Sequence, residues 1–276
     1  MQEVITRPRK SSLKLPWAWQ LTIGYLTIML LLPVSAMVLK ASTTQPADFW
    51  RIAVSPIALS TYDVTFTTAL IAASVDGLFG TLIAWVLVRC EFPLKRVVDA
   101  SIDLPFALPT AVAGLTLATV YGDKGWLGGL LALLGIKVAF TRLGVGVAMV
   151  FISLPFVVRT VQPVLEELEV DVEEAAWCLG ATPWQTYTKV ILPRLFPAIL
   201  TGVALGFSRA VGEYGSTAII ASNTPFQDLI APVLIFQRLE QYDYVGATVI
   251  GSVLLGISLL ILLVINLLQS WSRKYD

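Results

Sequence analysis

Apolar residues in this chain come in long, nearly unbroken runs, not in the alternation of a half-buried strand or the stripe of a surface helix. Runs near the ~20 residues needed to cross ~30 Å of hydrocarbon fall at about residues 17–40, 64–88, 102–121, 143–161, 192–220 and 245–268. Six spans follow. The first exceeds the ~7–15-residue apolar core of a signal peptide, so it reads as a retained helix with Pro33 as a kink. Pro105 and Pro109 fall in the third; each removes a helical N–H and bends the backbone, as a fixed bend or as a gate. The segment 125–134, GWLGGLLALL, is too short to cross and reads as a short helix at the interface or against the bundle, with a seventh span as the alternative.

Composition supports a membrane protein. Of 276 residues, 56% are hydrophobic and 14% charged, against about a quarter charged in soluble domains. Net charge is zero, so there is no basic footprint for nucleic acid. Histidine is absent, which removes His-based triads and imidazole metal sites. Cys90 and Cys178 have no CxxC neighbour and read as reduced, small apolar side chains. No lysine follows a glycine, so a phosphate-cradling P-loop is missing.

Basic residues set the orientation. Arg7, Arg9, Lys10 and Lys14 precede the first span; Arg89, Lys95 and Arg96 follow the second; Lys189 and Arg194 close the central loop; Arg273 and Lys274 follow the sixth. Arg51, Lys124, Lys137, Arg142 and Arg238 form a sparser set on the other side. Both termini, as tails 1–16 and 269–276, and the central loop 166–191 are therefore expected in the cytoplasm. Trp17, Trp19 and Trp271 mark span ends.

The central loop is polar and heavily capped. Asp171 suits an N-cap with Glu174 as its capping-box partner. Gly180 suits the left-handed position that ends a helix. Thr182, Pro183 and Gln185 start a second short helix, on which Trp184, Tyr187 and Val190 share a stripe. The pattern predicts a compact two-helix knob, either a handle for another surface or a solvated connector. The acidic run Glu166, Glu167, Glu169, Asp171, Glu173, Glu174 reads mostly as a solvated face.

Three ionisable residues fall at membrane depth. Arg209 and Glu213, four apart in the fifth span, read as one helical face. They form either a structural ion pair or part of an anion path. Asp76, beside Gly77 in the second span, reads as a packing partner or a pathway group.

Glu174-Ala175-Ala176, three residues, Gly180, nine residues, then Val190-Ile191-Leu192-Pro193 resemble the EAA signature of ABC importer permeases, with Val190 replacing the usual Ile. The segments 104–114 (LPFALPTAVAG), 155–168 (PFVVRTVQPVLEEL) and 211–215 (VGEYG), with Ile235-Phe236, are similar to the T-type permease subunit of bacterial sulfate/thiosulfate ABC importers. The likeness runs from about Leu13 to the end of the chain.

That resemblance implies an all-α, six-span type I ABC importer permease (MetI-like) in the bacterial inner membrane, with a permease domain over 62–268. It implies that Glu174, Ala175, Ala176, Gly180, Leu192 and Pro193 couple the bundle to an ATPase. Expected partners are a W-type second permease, two ATPase subunits and a periplasmic sulfate-binding protein, besides membrane lipid. ATP and Mg belong to the ATPase; no cofactor, metal or catalytic residue is expected on this chain. Alternatives are a permease for molybdate or another oxyanion, an ion-coupled secondary transporter or channel, and a scaffold.

Overall fold

The computed structural model describes residues 17–168 and 170–272. Arg7, Arg9, Lys10, Lys14, Glu169, Arg273, Lys274 and the side chain of Trp271 lie outside the described residues. Every element described is helical. Five helices are long and apolar enough to cross a membrane: α1 (Trp17–Ser42), α3 (Pro56–Arg89), α8 (Arg142–Glu167), α10 (Pro183–Val211) and α13, whose apolar stretch is Tyr244–Leu267. Shorter helices intervene: α2 (Pro46–Ala53), α4 (Lys95–Ile102), α5 (Leu104–Ala107), α6 (Thr110–Tyr121), α7 (Trp126–Ala132), α9 (Val170–Cys178), α11 (Gly215–Ile220) and α12 (Ala231–Glu240).

Helices α3, α8 and α10 form the heart of the bundle. Along α3, Ala69, Ala72, Ala73, Asp76, Gly77, Gly80 and Ala84 recur at helical spacing and are all buried. Such small residues let backbones approach where lipid supplies no hydrophobic drive for association. A β-carbon at Gly77 would lie 2.8 Å from Cγ2 of Val203 on α10, and one at Gly80 would lie 2.9 Å from Val157 on α8. One at Gly202 would lie 2.8 Å from the Val157 α-carbon. The outer faces are apolar. Leu259, Leu260, Leu263 and Leu267 of α13 and most of α1 are exposed, as helices facing lipid are.

Hydroxyls at membrane depth fold back on their own helices. Thr22, Ser74, Thr81, Thr116, Ser208 and Ser258 each donate to the carbonyl four residues earlier, which spares a polar group the cost of facing hydrocarbon.

Two expected spans are not continuous helices. The third, read over 102–121, is broken into α4, α5 and α6. Leu108 and Pro109 are extended, because a residue before proline is pushed out of the helical region. Helix α6 has 12 residues, ~18 Å at 1.5 Å per residue, too short to cross alone. The fifth, read over 192–220, ends as a helix at Val211 and resumes as α11 after Gly212–Tyr214. The two broken spans pack on each other: a β-carbon at Gly114 of α6 would lie 2.7 Å from the Ser216 α-carbon. Segment 125–134 forms the short helix α7, as its length required.

Proline also explains two π turns. Leu32 donates to the Thr27 carbonyl and Leu192 to the Tyr187 carbonyl, five residues back, and Pro33 and Pro193 follow directly. Proline crowds the carbonyl four residues earlier; the extra residue in the turn relieves the crowding without breaking the helix. The kink expected at Pro33 takes this form.

Packing of this kind predicts a contrast between glycines. Gly202→Val should lower the thermal unfolding midpoint of the detergent-purified protein by the equivalent of ~1–3 kcal/mol. Gly24→Ala, whose β-carbon meets nothing within 4 Å, should not. Equal midpoints for both variants would contradict the close three-helix crossing.

Candidate functional site

The loop between α8 and α10 is built from two capped pieces. Helix α9 ends in a Schellman motif: Gly180 N–H donates to the Trp177 carbonyl (2.9 Å) and Ala181 N–H to the Ala176 carbonyl (3.0 Å). Gly180 has φ +86°, the left-handed backbone that glycine adopts without penalty. Thr182 then starts α10 through a full capping box. Its Oγ1 accepts from Gln185 N–H (3.3 Å), and Gln185 Oε1 accepts from Thr182 N–H (2.9 Å).

Two expectations for this loop need correction. Asp171 is not an N-cap: α9 starts at Val170, and Asp171 lies inside its first turn, where a carboxylate still favours the helix dipole. The second short helix is not separate. Through the π turn at Tyr187–Ile191 it runs on as the membrane helix to Val211, so Leu192 and Pro193 lie within one continuous rod. Ala176 is buried at 9% exposure. The surface offered by the loop consists instead of Glu174, Ala175, Trp177, Cys178, Leu179 and Trp184, all exposed. Leu179 is 89% exposed, an unusual display of apolar side chains on a polar loop.

Glu173 corrects the reading of the acidic run. It is buried and accepts from Arg89 Nη2 at 2.8 Å, while the same nitrogen donates to the Leu168 carbonyl at 3.0 Å. The Arg89 guanidinium lies 6.0 Å from the Trp85 ring. Trp85 meets Tyr187 edge-on, and Trp184 stacks on Tyr187. One polar and aromatic chain thus joins the end of α3, the end of α8, α9 and the start of α10. Nothing in the linear pattern pairs Arg89 with a residue 84 positions away; the only sequence signal is an arginine just at the end of an apolar span.

The membrane-depth charges form two separate arrangements. Arg209 pairs with Glu213 at 2.7 Å, but not on one helical face, because the helix has ended before Glu213. Glu213 is 1% exposed, and its Oε1 also accepts from Ser216 N–H and Ser216 Oγ, both at 2.8 Å. The carboxylate therefore satisfies both the arginine and the backbone freed where the span breaks. Asp76 is fully buried between α3 and α8 and meets Ser153 Oγ. Asp76 shares no hydrogen bond or ion pair with Arg209 or Glu213 among the described residues.

Residues 76–274 match the family model "Binding-protein-dependent transport system inner membrane component". The chain is 63% identical over 265 residues to the "Probable sulfate transport system permease protein cysT" of Chlorokybus atmophyticus, covering 96% of this chain and 93% of that one. It is 64% identical over 264 residues to the "Sulfate transport system permease protein CysT" of Synechocystis sp., covering 96% and 92%. Among solved structures, a bacterial ABC transporter involved in import of the acidic polysaccharide alginate superposes with a TM-score of 0.71 at 18% identity over 94% of both chains. An inward-facing MetNI methionine ABC transporter superposes with 0.56 at 18% identity, over 84% of this chain and 100% of that one. At such identity the superpositions carry the fold alone.

Burial of Glu213 makes a prediction. Glu213→Ala strands the arginine and uncaps Ser216, so it should cost ~3–5 kcal/mol of stability, read as a lowered thermal unfolding midpoint. Glu213→Gln, which keeps an acceptor for Ser216, should cost less. An unchanged midpoint in Glu213→Ala would show that the pair holds nothing together.

Proposed function

Since the chain belongs to the family of binding-protein-dependent transport system inner membrane components, we propose that it is the membrane-spanning subunit of an ATP-driven sulfate/thiosulfate importer. The sulfate assignment rests on the names carried by relatives more than 60% identical over nearly the whole chain. The observation that carries the mechanism is the continuity of the signature loop with a membrane helix. Thr182 caps a rod that runs from Pro183 to Val211, and the Gly180 turn joins that rod to α9. A force applied to α9 and its exposed apolar residues therefore reaches the bundle interior without passing through a flexible linker.

In this reading α9 is the helix an ATPase subunit grips. Glu174, Ala175 and Gly180 lie on the contact or shape it, and buried Ala176 packs the helix against its own subunit. Two ATPase subunits hold ATP and Mg, and their closure on ATP favours one state of the bundle over the other. The spans then rock between inward-open and outward-open states. A second, W-type permease supplies the other half of the path. A periplasmic sulfate-binding protein delivers cargo; the bacterial alginate ABC transporter has been solved in complex with an alginate pentasaccharide-bound periplasmic protein. Both termini and α9 face the cytoplasm, and the chain sits in the inner membrane. The engagement of Glu213 by Arg209 and Ser216 supports a structural role for that pair over a direct role in anion passage.

Gly180 separates this reading from a passive connector. Gly180→Pro removes the N–H that closes the Schellman motif and forbids φ +86°. It should abolish ATP-dependent sulfate uptake in vesicles while leaving membrane insertion intact. Gly180→Ala, with open space around its β-carbon, meets only the left-handed backbone cost of ~1–2 kcal/mol and should keep measurable uptake. Normal uptake in Gly180→Pro would defeat the coupling role. Arg209→Ala should impair assembly at least as much as turnover; an assembled but slow complex would favour a place for Arg209 on the anion path.

A further inference from the structure

We propose that the Arg89–Glu173 ion pair is the latch that passes movement of α9 to α3, making both residues positioning residues for transport. This rests on the reading of α9 as the helix gripped by the ATPase. Helix α9 has nine residues, fewer than the ~12–15 at which an isolated helix becomes even marginal in water. Its orientation must come from what holds it. On one side it is tethered by the Gly180 turn, on the other by the chain between Leu168 and Val170. These hold α9 to α10 and to the end of α8, but neither ties it to α3.

Arg89 supplies that tie. It is the last residue of α3. From there a single Nη2 reaches Leu168, the residue that ends α8, and Glu173 in the first turn of α9. The ends of three helices meet on one guanidinium. The bond to Leu168 also satisfies a carbonyl left over at a helix end. Side-chain exposures of 18% for Arg89 and 10% for Glu173 set this pair apart from solvent-screened surface pairs. Among the described residues it is the one ion pair that joins α9 to another element. The guanidinium lies near Trp85, which reaches Tyr187 in the π turn of α10. The latch thus ties both halves of the coupling loop to α3, whose small-residue stripe packs on α8 and α10. Pushing α9 moves α3 with it; without the latch, the push enters only α10, through the Gly180 turn, and α3 lags behind.

The test uses the complete importer, with ATPase subunits, in vesicles supplied with the binding protein and labelled sulfate. Arg89→Ala and Glu173→Ala should each lower sulfate taken up per ATP hydrolysed by ~10-fold, within the range of typical coupling energies, while the ATPase subunits still co-purify. Arg89→Lys and Glu173→Gln should retain intermediate ratios. A second arm replaces the charges by a covalent tie. In a Cys90→Ser, Cys178→Ser background, Arg89→Cys with Glu173→Cys is joined after assembly by a short reducible bis-thiosulfonate. Uptake per ATP should rise several-fold on linking, against a typical coupling range of ~5–150-fold, and fall again on reduction. An unchanged ratio in the alanine variants, or no response to linking, overturns the latch. Loss of assembly in every variant assigns the pair to folding and also overturns it. If these variants transport normally while Gly180→Pro does not, the latch alone fails; if Gly180→Pro also transports, the coupling reading falls with it.

Discussion

Backbone contact at the crossing of α3, α8 and α10 is the constraint on which the other features rest. Lipid tails are as apolar as leucine, so helices in a bilayer gain little from hiding apolar surface from one another. Close approach has to supply the cohesion, and Gly77, Gly80 and Gly202 permit it. A β-carbon at any of them would lie 2.8–2.9 Å from Val203 or Val157. A crossing packed this closely has few intermediate positions. A subunit driven from outside the membrane would need movement imposed at one end of α3 or α10 to appear at the other.

The polar groups obey the same solvent. No water competes for hydrogen bonds in hydrocarbon, so each break in a helix must be satisfied from within. Glu213 does this where the fifth span stops at Val211, by accepting from Ser216 and balancing Arg209. Packing α6 against α11 covers the two broken spans with each other. At the edge of the bundle Arg89 applies the same economy, with one guanidinium serving a helix-end carbonyl, a buried carboxylate and an indole face.

Local chemistry was legible in the sequence, and long-range pairing was not. The Gly180 turn and the Thr182–Gln185 box follow from residue types at fixed spacing, and they hold at those positions. Five helices of membrane-crossing length follow from apolar runs, the fifth span's among them although it stops at Val211, short of its expected end. The third and fifth spans failed as continuous helices for different reasons. Pro109 forces Leu108 out of the helical region, so that break was implicit in the prolines read as bends. The break at Gly212 rests on the carboxylate of Glu213 turning back to Ser216, which no spacing rule predicts. Glu173 was read with its acidic neighbours as solvated, because its partner lies on another helix. The signature does not say which side of α9 packs on its own subunit, so the burial of Ala176 was not legible.

Helix α9 is proposed as the surface gripped by a nucleotide-hydrolysing partner. Cys178 is exposed on that helix and provides a native handle for testing it. In a Cys90→Ser background, a benzophenone attached to Cys178 and photoactivated in membranes holding the intact importer should give a covalent adduct with the ATPase subunit. The yield of that adduct should change when ATP is added. Adducts confined to lipid or to this chain itself, in membranes where the ATPase subunit is present and transport is active, would contradict the account.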